Sequence, residues 1–176
     1  MNKFGRIDVV INNAGMIDRF NTAHNITDEL WEYVFKLNVT GPMKLTREVI
    51  PYMIKQKSGN IINIGSLASL DGGKGGIAYV SSKHALLGLT KNTAQAYGRQ
   101  GIRCNLIAPS FSLTGIVKPN KTIKIRGFIM VLRGLRTGFK LIKKQSIAKV
   151  VLFLVSDKSK FINGSSIIID GGWSAY

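Results

Sequence analysis

Apolar positions along the chain come in short runs, and their period switches between the two of a strand and the 3.6 of a helix. Ile7-Asp8-Val9-Val10-Ile11-Asn12 is a β-branched run that ends in Asn13-Ala14-Gly15, which predicts a buried strand entering a turn. Thr27 precedes two acids, Asp28 and Glu29, and marks a helix start. Trp31, Val34, Phe35, Val39, Met43, Leu45, Val49 and Ile50 then keep helical spacing across an expected bend at Gly41-Pro42, until Ser58-Gly59 breaks the pattern. Asn60 to Ile64 predicts a second strand, Tyr79 to Tyr97 a long helix stopped by Gly101, and Ile102 to Ile107 a third strand ended by Pro109. Ser146 to Val155 reads as a helix and Ile167 to Asp170 as a last strand before Gly171-Gly172. Strands alternating with helices imply a parallel sheet wrapped on both faces. The stretch 115–145 is poorly periodic, and neither an internal repeat nor a low-complexity linker interrupts the chain.

Composition narrows the class. The 176 residues suffice for one domain. A hydrophobic content of 45% excludes disorder, and one cysteine, Cys104, excludes a disulfide framework or a multi-cysteine zinc site. No apolar run reaches the ~18 residues of a membrane span, and Met1 to Arg6 lacks the apolar stretch of a signal peptide. A cytoplasmic location is therefore expected, with idle sequons at Asn25, Asn38, Asn120 and Asn163. His24 and His84 lack partner spacing for a metal. Trp31 and Phe35 read as core, and Cys104 as a buried small residue.

Candidate chemistry begins with Tyr79-Val80-Ser81-Ser82-Lys83, a phenol and an ammonium one helical turn apart. A lysine charge ~4 Å from the phenol, at an effective dielectric of ~20, favours phenolate by ~4 kcal/mol and lowers its pKa by about three. That brings a tyrosine within range of general acid/base work. Ser66 follows the end of the second predicted strand, Asn12 to Gly15 ends the first, and Pro109 to Thr114 follows the third. Ligand sites of parallel sheets gather at the carboxyl ends of strands, so these polar groups converge on one rim.

In this order and spacing, Asp8 to Gly15, Asn38-Val39, Ile64-Gly65-Ser66, Tyr79-x-x-x-Lys83, Asn105 to Pro109 and Asp170-Gly171-Gly172 resemble the short-chain dehydrogenase/reductase family. The likeness is nearest to its ketone reductases and secondary-alcohol dehydrogenases, including 3-oxoacyl-carrier-protein reductases and 3-hydroxybutyrate-type dehydrogenases. The resemblance implies a Rossmann-like, doubly wound α/β sheet and reversible hydride transfer between NAD or NADP and a carbonyl/alcohol pair. It implies a catalytic set of Asn38, Ser66, Tyr79 and Lys83. Tyr79 would be the general acid/base, Ser66 would hydrogen-bond the substrate oxygen, and Lys83 would lower the tyrosine pKa and bind the nicotinamide ribose. Asn38 would hold a relay water. Asn13, Ala14 and Gly15 would lie along the adenosine-side ribose, and Pro109, Ser112 and Thr114 beside the nicotinamide. A homodimer or homotetramer is also implied.

The family pattern opens with a strand, a glycine-rich turn and a helix that holds the pyrophosphate. Here the first strand already resembles the family's fourth, so residues 1–176 are expected to form a single partial domain lacking the first three strands, about 65–80 residues at ~30 per βαβ unit. The cluster Gly72-Gly73-Lys74-Gly75-Gly76 follows no strand directly and opens no helix in the required register; it reads as a flexible loop. Ser110 stands where the family usually has glycine. Residues 115–145 would form the substrate lid.

Charge adds a second theme. Of 25 Lys and Arg, 15 lie in residues 72–156, which contain no acid, and the formal net charge is +16. Such a block would suit an anionic small-molecule substrate. The competing readings are a basic module for nucleic acid or an acidic partner, which no helix-turn-helix, zinc or stacking motif accompanies, and a non-catalytic remnant that binds no cofactor.

Overall fold

A computed structural model describes residues 4–110, 124–126, 128, 129 and 141–175. Its elements are β1 (Val9–Asn12), α1 (Asp28–Phe35), α2 (Gly41–Gln56), β2 (Gly59–Ile64), α3 (Ile77–Tyr97), β3 (Ile102–Pro109), α4 (Lys144–Val155) and β4 (Ser166–Ile169). The four strands pair in parallel in the order β1-β2-β3-β4. Val10 lies beside Ile61 and Ile61 beside Cys104, while Ile107 lies beside Ile167. Parallel pairing places Asn12, Ile64, Pro109 and Ile169 at one rim.

Alternation sorts the sheet into two covered faces. Val10, Ile61, Ile102 and Cys104 pack with Val49, Ile50 and Met53 of α2 and Ala94 of α3. On the opposite face Ile62 and Ile107 pack with Leu154 of α4. Each such fully buried side chain contributes ~1.5–3 kcal/mol relative to exposure. Helices on both faces are the doubly wound arrangement that the sequence predicts. β1 forms one edge of the described sheet, with Val9 and Ile11 facing outward at 38% and 46% exposure. Asn12 and Asn63 point toward α3. The Asn12 amide donates to Asn63 Oδ1 at 2.7 Å, and the Asn63 amide donates to Thr90 Oγ1 at 2.8 Å.

Element boundaries differ from the sequence reading by a residue or two, but one difference is physical. The expected bend at Gly41-Pro42 falls a turn earlier, where Lys36–Thr40 is a π-helical turn and Pro42 enters the first turn of α2. A proline ring crowds the carbonyl four residues before it, and a widened turn relieves the clash. Thr27 caps α1 as expected, its hydroxyl accepting from Leu30 N at 3.3 Å. Trp31 and Phe35, expected in the core, are half-buried and stack on one another with centroids 4.7 Å apart.

Candidate functional site

The rim gathers residues from four elements. Ser66, just beyond β2, starts a short 3₁₀ turn, its hydroxyl accepting from Ala68 N at 3.2 Å. Tyr79 and Lys83 lie one turn apart on α3 and are both buried. The Ser66 hydroxyl lies near enough to the Tyr79 phenol to hold its pKa down. Lys83 Nζ donates to Ile64 O at 2.8 Å and stands 5.7 Å from the centroid of the Tyr79 ring. Gly15 brings the turn after β1 against them: a methyl there would lie 3.5 Å from Lys83 Nζ and 3.4 Å from Asn38 Oδ1.

Asn38 sits in the π-helical turn with its side chain fully engaged. Its carbonyl oxygen accepts from Met16 N at 2.9 Å, and its amide donates to Met16 O at 2.9 Å and to Ser82 Oγ at 3.0 Å. Ser82 in turn donates to Tyr79 O at 2.8 Å. Asn38 therefore ties the β1 turn to the helix that carries Tyr79. Pro109 ends β3 and is buried. Asn13 and Ala14 are exposed past the end of β1. Ser112 and Thr114 lie outside the described residues, as does most of the 115–145 lid segment.

Electrostatics at the site differ from the sequence argument. Burial raises the Tyr79 phenol above its ordinary value, and the nearby Ser66 hydroxyl pulls it back. Burial pushes the Lys83 ammonium down to about 8. In a dry pocket desolvation acts on both partners, favouring neutral phenol and neutral amine. The dominant influence on Tyr79 is thus burial, and the lysine charge is itself weakened.

The glycine cluster is not the loose loop that the sequence suggested. Gly72–Lys74 forms a 3₁₀ turn, and the next two glycines are buried contact points. A Cβ on Gly75 would stand 2.6 Å from the Tyr79 ring, and one on Gly76 would overlap the Asp18 carboxylate. Lys74 Nζ lies 3.6 Å from the centroid of the Trp173 ring, so the turn after β4 backs this wall. Neither Asp18 nor Ser82 is singled out by spacing: Ser82 lies inside the Tyr79–Lys83 motif without a role of its own there, and nothing in the sequence near Asp18 marks a site. Ser110 is buried, and among the described residues its hydroxyl has no hydrogen-bond partner.

Among the described residues no cluster of three His, Cys, Asp or Glu could hold a metal, and no helix is long and apolar enough to cross a membrane. Burial pushes the Cys104 thiol up to about 12, which keeps it inert.

A family model described as Enoyl-(Acyl carrier protein) reductase matches residues 1–174. The chain is 41% identical over 180 residues to the short chain dehydrogenase adrF of Penicillium rubens, covering 98% of this chain and 71% of that protein. It is 39% identical over 174 residues to 3beta-hydroxysteroid dehydrogenase 2 of Eggerthella lenta, covering 98% and 67%. Among solved structures, levodione reductase matches with a TM-score of 0.85 at 31% identity, over 99% of this chain and 70% of that one. A 4-hydroxyisoleucine dehydrogenase complexed with NADH matches with a TM-score of 0.81 at 32% identity, over 96% and 70%.

Proposed function

The chain belongs to the short-chain dehydrogenase/reductase family and is an oxidoreductase, and on that premise we propose that it passes hydride between NAD or NADP and a ketone/secondary-alcohol pair, with Tyr79 as the general acid/base. The observation that carries this reading is the convergence of the Ser66 hydroxyl and the buried Tyr79 phenol beside the buried amine of Lys83.

The residues present suit the nicotinamide end of a dinucleotide. Gly15 leaves room between Lys83 Nζ and Asn38, and the Ser110 hydroxyl at the end of β3 is buried without a partner among the described residues. Lys83 and Tyr79 would hold the nicotinamide ribose, Asn13 to Gly15 the adenosine-side ribose, and Pro109 the nicotinamide. When bound, the cofactor supplies or takes the hydride at the carbonyl carbon. A substrate carbonyl oxygen lying between the two hydroxyls accepts from Ser66 and from Tyr79, which polarises the bond. In reduction the phenol proton moves to that oxygen as the carbon gains hydride, and oxidation of the alcohol runs the same path backwards. Burial of the Tyr79 phenol keeps competing water from its side of the oxygen.

The excess of basic residues in 72–156 supports a substrate that carries negative charge. A fluorescence titration with NADH and NADPH, followed by turnover of neutral and anionic ketones over a salt series, tests the whole reading. Tyr79→Phe should cut kcat by ~10³-fold and Ser66→Ala by ~10²-fold while the cofactor still binds. Folded protein that binds neither nucleotide would overturn the proposal.

A further inference from the structure

α3 begins in an unusual way for a helix that carries the reacting groups. Its N-cap is Gly76, which has no side chain and makes no capping bond of its own. The first amides of a helix have no partner within it, so they must be met from elsewhere. Here they are met from the turn after β1. Asn21 O accepts from Ile77 N at 2.8 Å. The Asp18 carboxylate accepts from Tyr79 N at 3.1 Å and lies close enough to Ala78 N to be stabilised by it. Its other oxygen accepts from Phe20 N at 3.2 Å. Asp18 is fully buried, and the carboxylate lies so close to Gly76 that any side chain there would displace it.

The backbone of that turn is held in a costly shape. Arg19 and Phe20 both take positive φ, 57° and 61°, a region that costs non-glycine residues ~1 kcal/mol or more each. Their shape lets a carboxylate and a carbonyl three residues apart face the same helix end. Phe20 is buried edge-on against Phe128, with centroids 5.4 Å apart, and Arg19 O accepts from Lys124 N at 3.1 Å. Both partners belong to the segment expected to cover the substrate.

We infer that Asp18 is a positioning residue for Tyr79: its buried carboxylate clamps the first turn of α3 from the β1 turn and sets where the phenol lies against Ser66. The inference rests on the oxidoreductase reading above for its kinetic consequence, but the clamp itself does not. Burial holds the carboxyl above the usual carboxylate range, against the pull of the backbone amides of Tyr79, Ala78 and Phe20. Its negative charge also raises the Tyr79 phenol. The titratable side chains on this part of α3 are Tyr79 and Lys83, and Ser66 opposite is uncharged. Asp18 is therefore coupled to the reacting proton through both the helix backbone and the field.

Asp18→Asn and Asp18→Ala test this. Asparagine keeps one acceptor and loses the charge, and alanine loses both. Tyr79 ionisation is read by absorbance titration as the difference between each protein and its Tyr79→Phe counterpart, which needs no turnover. Asp18→Asn should shift that ionisation to lower pH. In the ketone assay, kcat per folded site should fall ~10-fold for asparagine and ~100-fold for alanine, with the NADH dissociation constant within about twofold. Amide exchange at Ala78 and Tyr79 should accelerate more than at the middle of α3. An unmoved Tyr79 ionisation together with unchanged exchange would overturn the inference, whether or not the wild-type chain turns over. Wild type that shows the clamp by titration and exchange but reduces no ketone would instead sink the functional reading alone.

Discussion

Replacing Lys83 with methionine should make the protein more stable at neutral pH while removing an amine of the proposed site. The lysine is buried and its pKa falls from an ordinary 10.5 to about 8. At ~1.4 kcal/mol per pH unit, that displacement corresponds to ~3 kcal/mol spent at pH 7 on holding a charge out of water. Methionine is of similar length and carries no charge, but it abandons the hydrogen bond from Nζ to Ile64 O, worth ~1.5 kcal/mol. The net expectation is a gain of ~2 kcal/mol. Its pH dependence is specific. Below 8 the amine is protonated in both folded and unfolded chains, and the penalty is complete. Between 8 and 10.5 the folded amine gives up its proton first, the unfolded state binds more protons, and wild-type stability recovers relative to the variant. Urea unfolding of Lys83→Met and wild type at pH 7 and pH 10 measures this, since all other titrating groups are common to the two proteins. The gap should be ~2 kcal/mol at pH 7 and close by pH 10, with unchanged m values. A variant less stable than wild type at pH 7, or a gap indifferent to pH, would refute the claim that desolvation governs this amine.

Gly15→Ala should fold with stability within ~0.5 kcal/mol of wild type, because its methyl meets Lys83 and Asn38 at 3.5 and 3.4 Å, which is ordinary contact. NADH titration should nevertheless show ~10-fold weaker binding, as the methyl takes the space between β1 and the lysine. Asn63→Ala should lower stability by ~3 kcal/mol in urea unfolding, since it strands the Asn12 amide donor and removes the donor to Thr90 in a dry interior; a loss under ~1 kcal/mol would mean that water enters the cavity.

Strand positions, helix faces and the rim were legible because each depends on local periodicity and on the rule that parallel strands share their carboxyl end. The Tyr79–Lys83 pair was legible for the same reason, being four residues apart. What escaped was whatever depends on two distant segments meeting. Asp18 carries no spacing that ties it to Tyr79, and their hydrogen bond spans 61 positions. The glycine cluster misled because glycine marks both looseness and close approach. Only the packed neighbours, a tyrosine ring and a carboxylate, distinguish the two at Gly75 and Gly76. The lysine's influence on the phenol was misjudged because a pairwise Coulomb argument at fixed dielectric omits the desolvation that both groups share.

Trp173 lies in the turn after β4, buried to 3% exposure, with the Lys74 ammonium over its ring. Lys74 is next to the glycine that abuts the Tyr79 ring. During synthesis on the ribosome, then, Ser66, Tyr79 and Lys83 emerge long before the residue that backs their wall. A nascent chain halted between Tyr97 and Leu154 would hold Ser66, Tyr79 and Lys83 and still lack the ring that backs their wall. The order of manufacture therefore places the three side chains of the proposed site in the chain well before the wall that supports them.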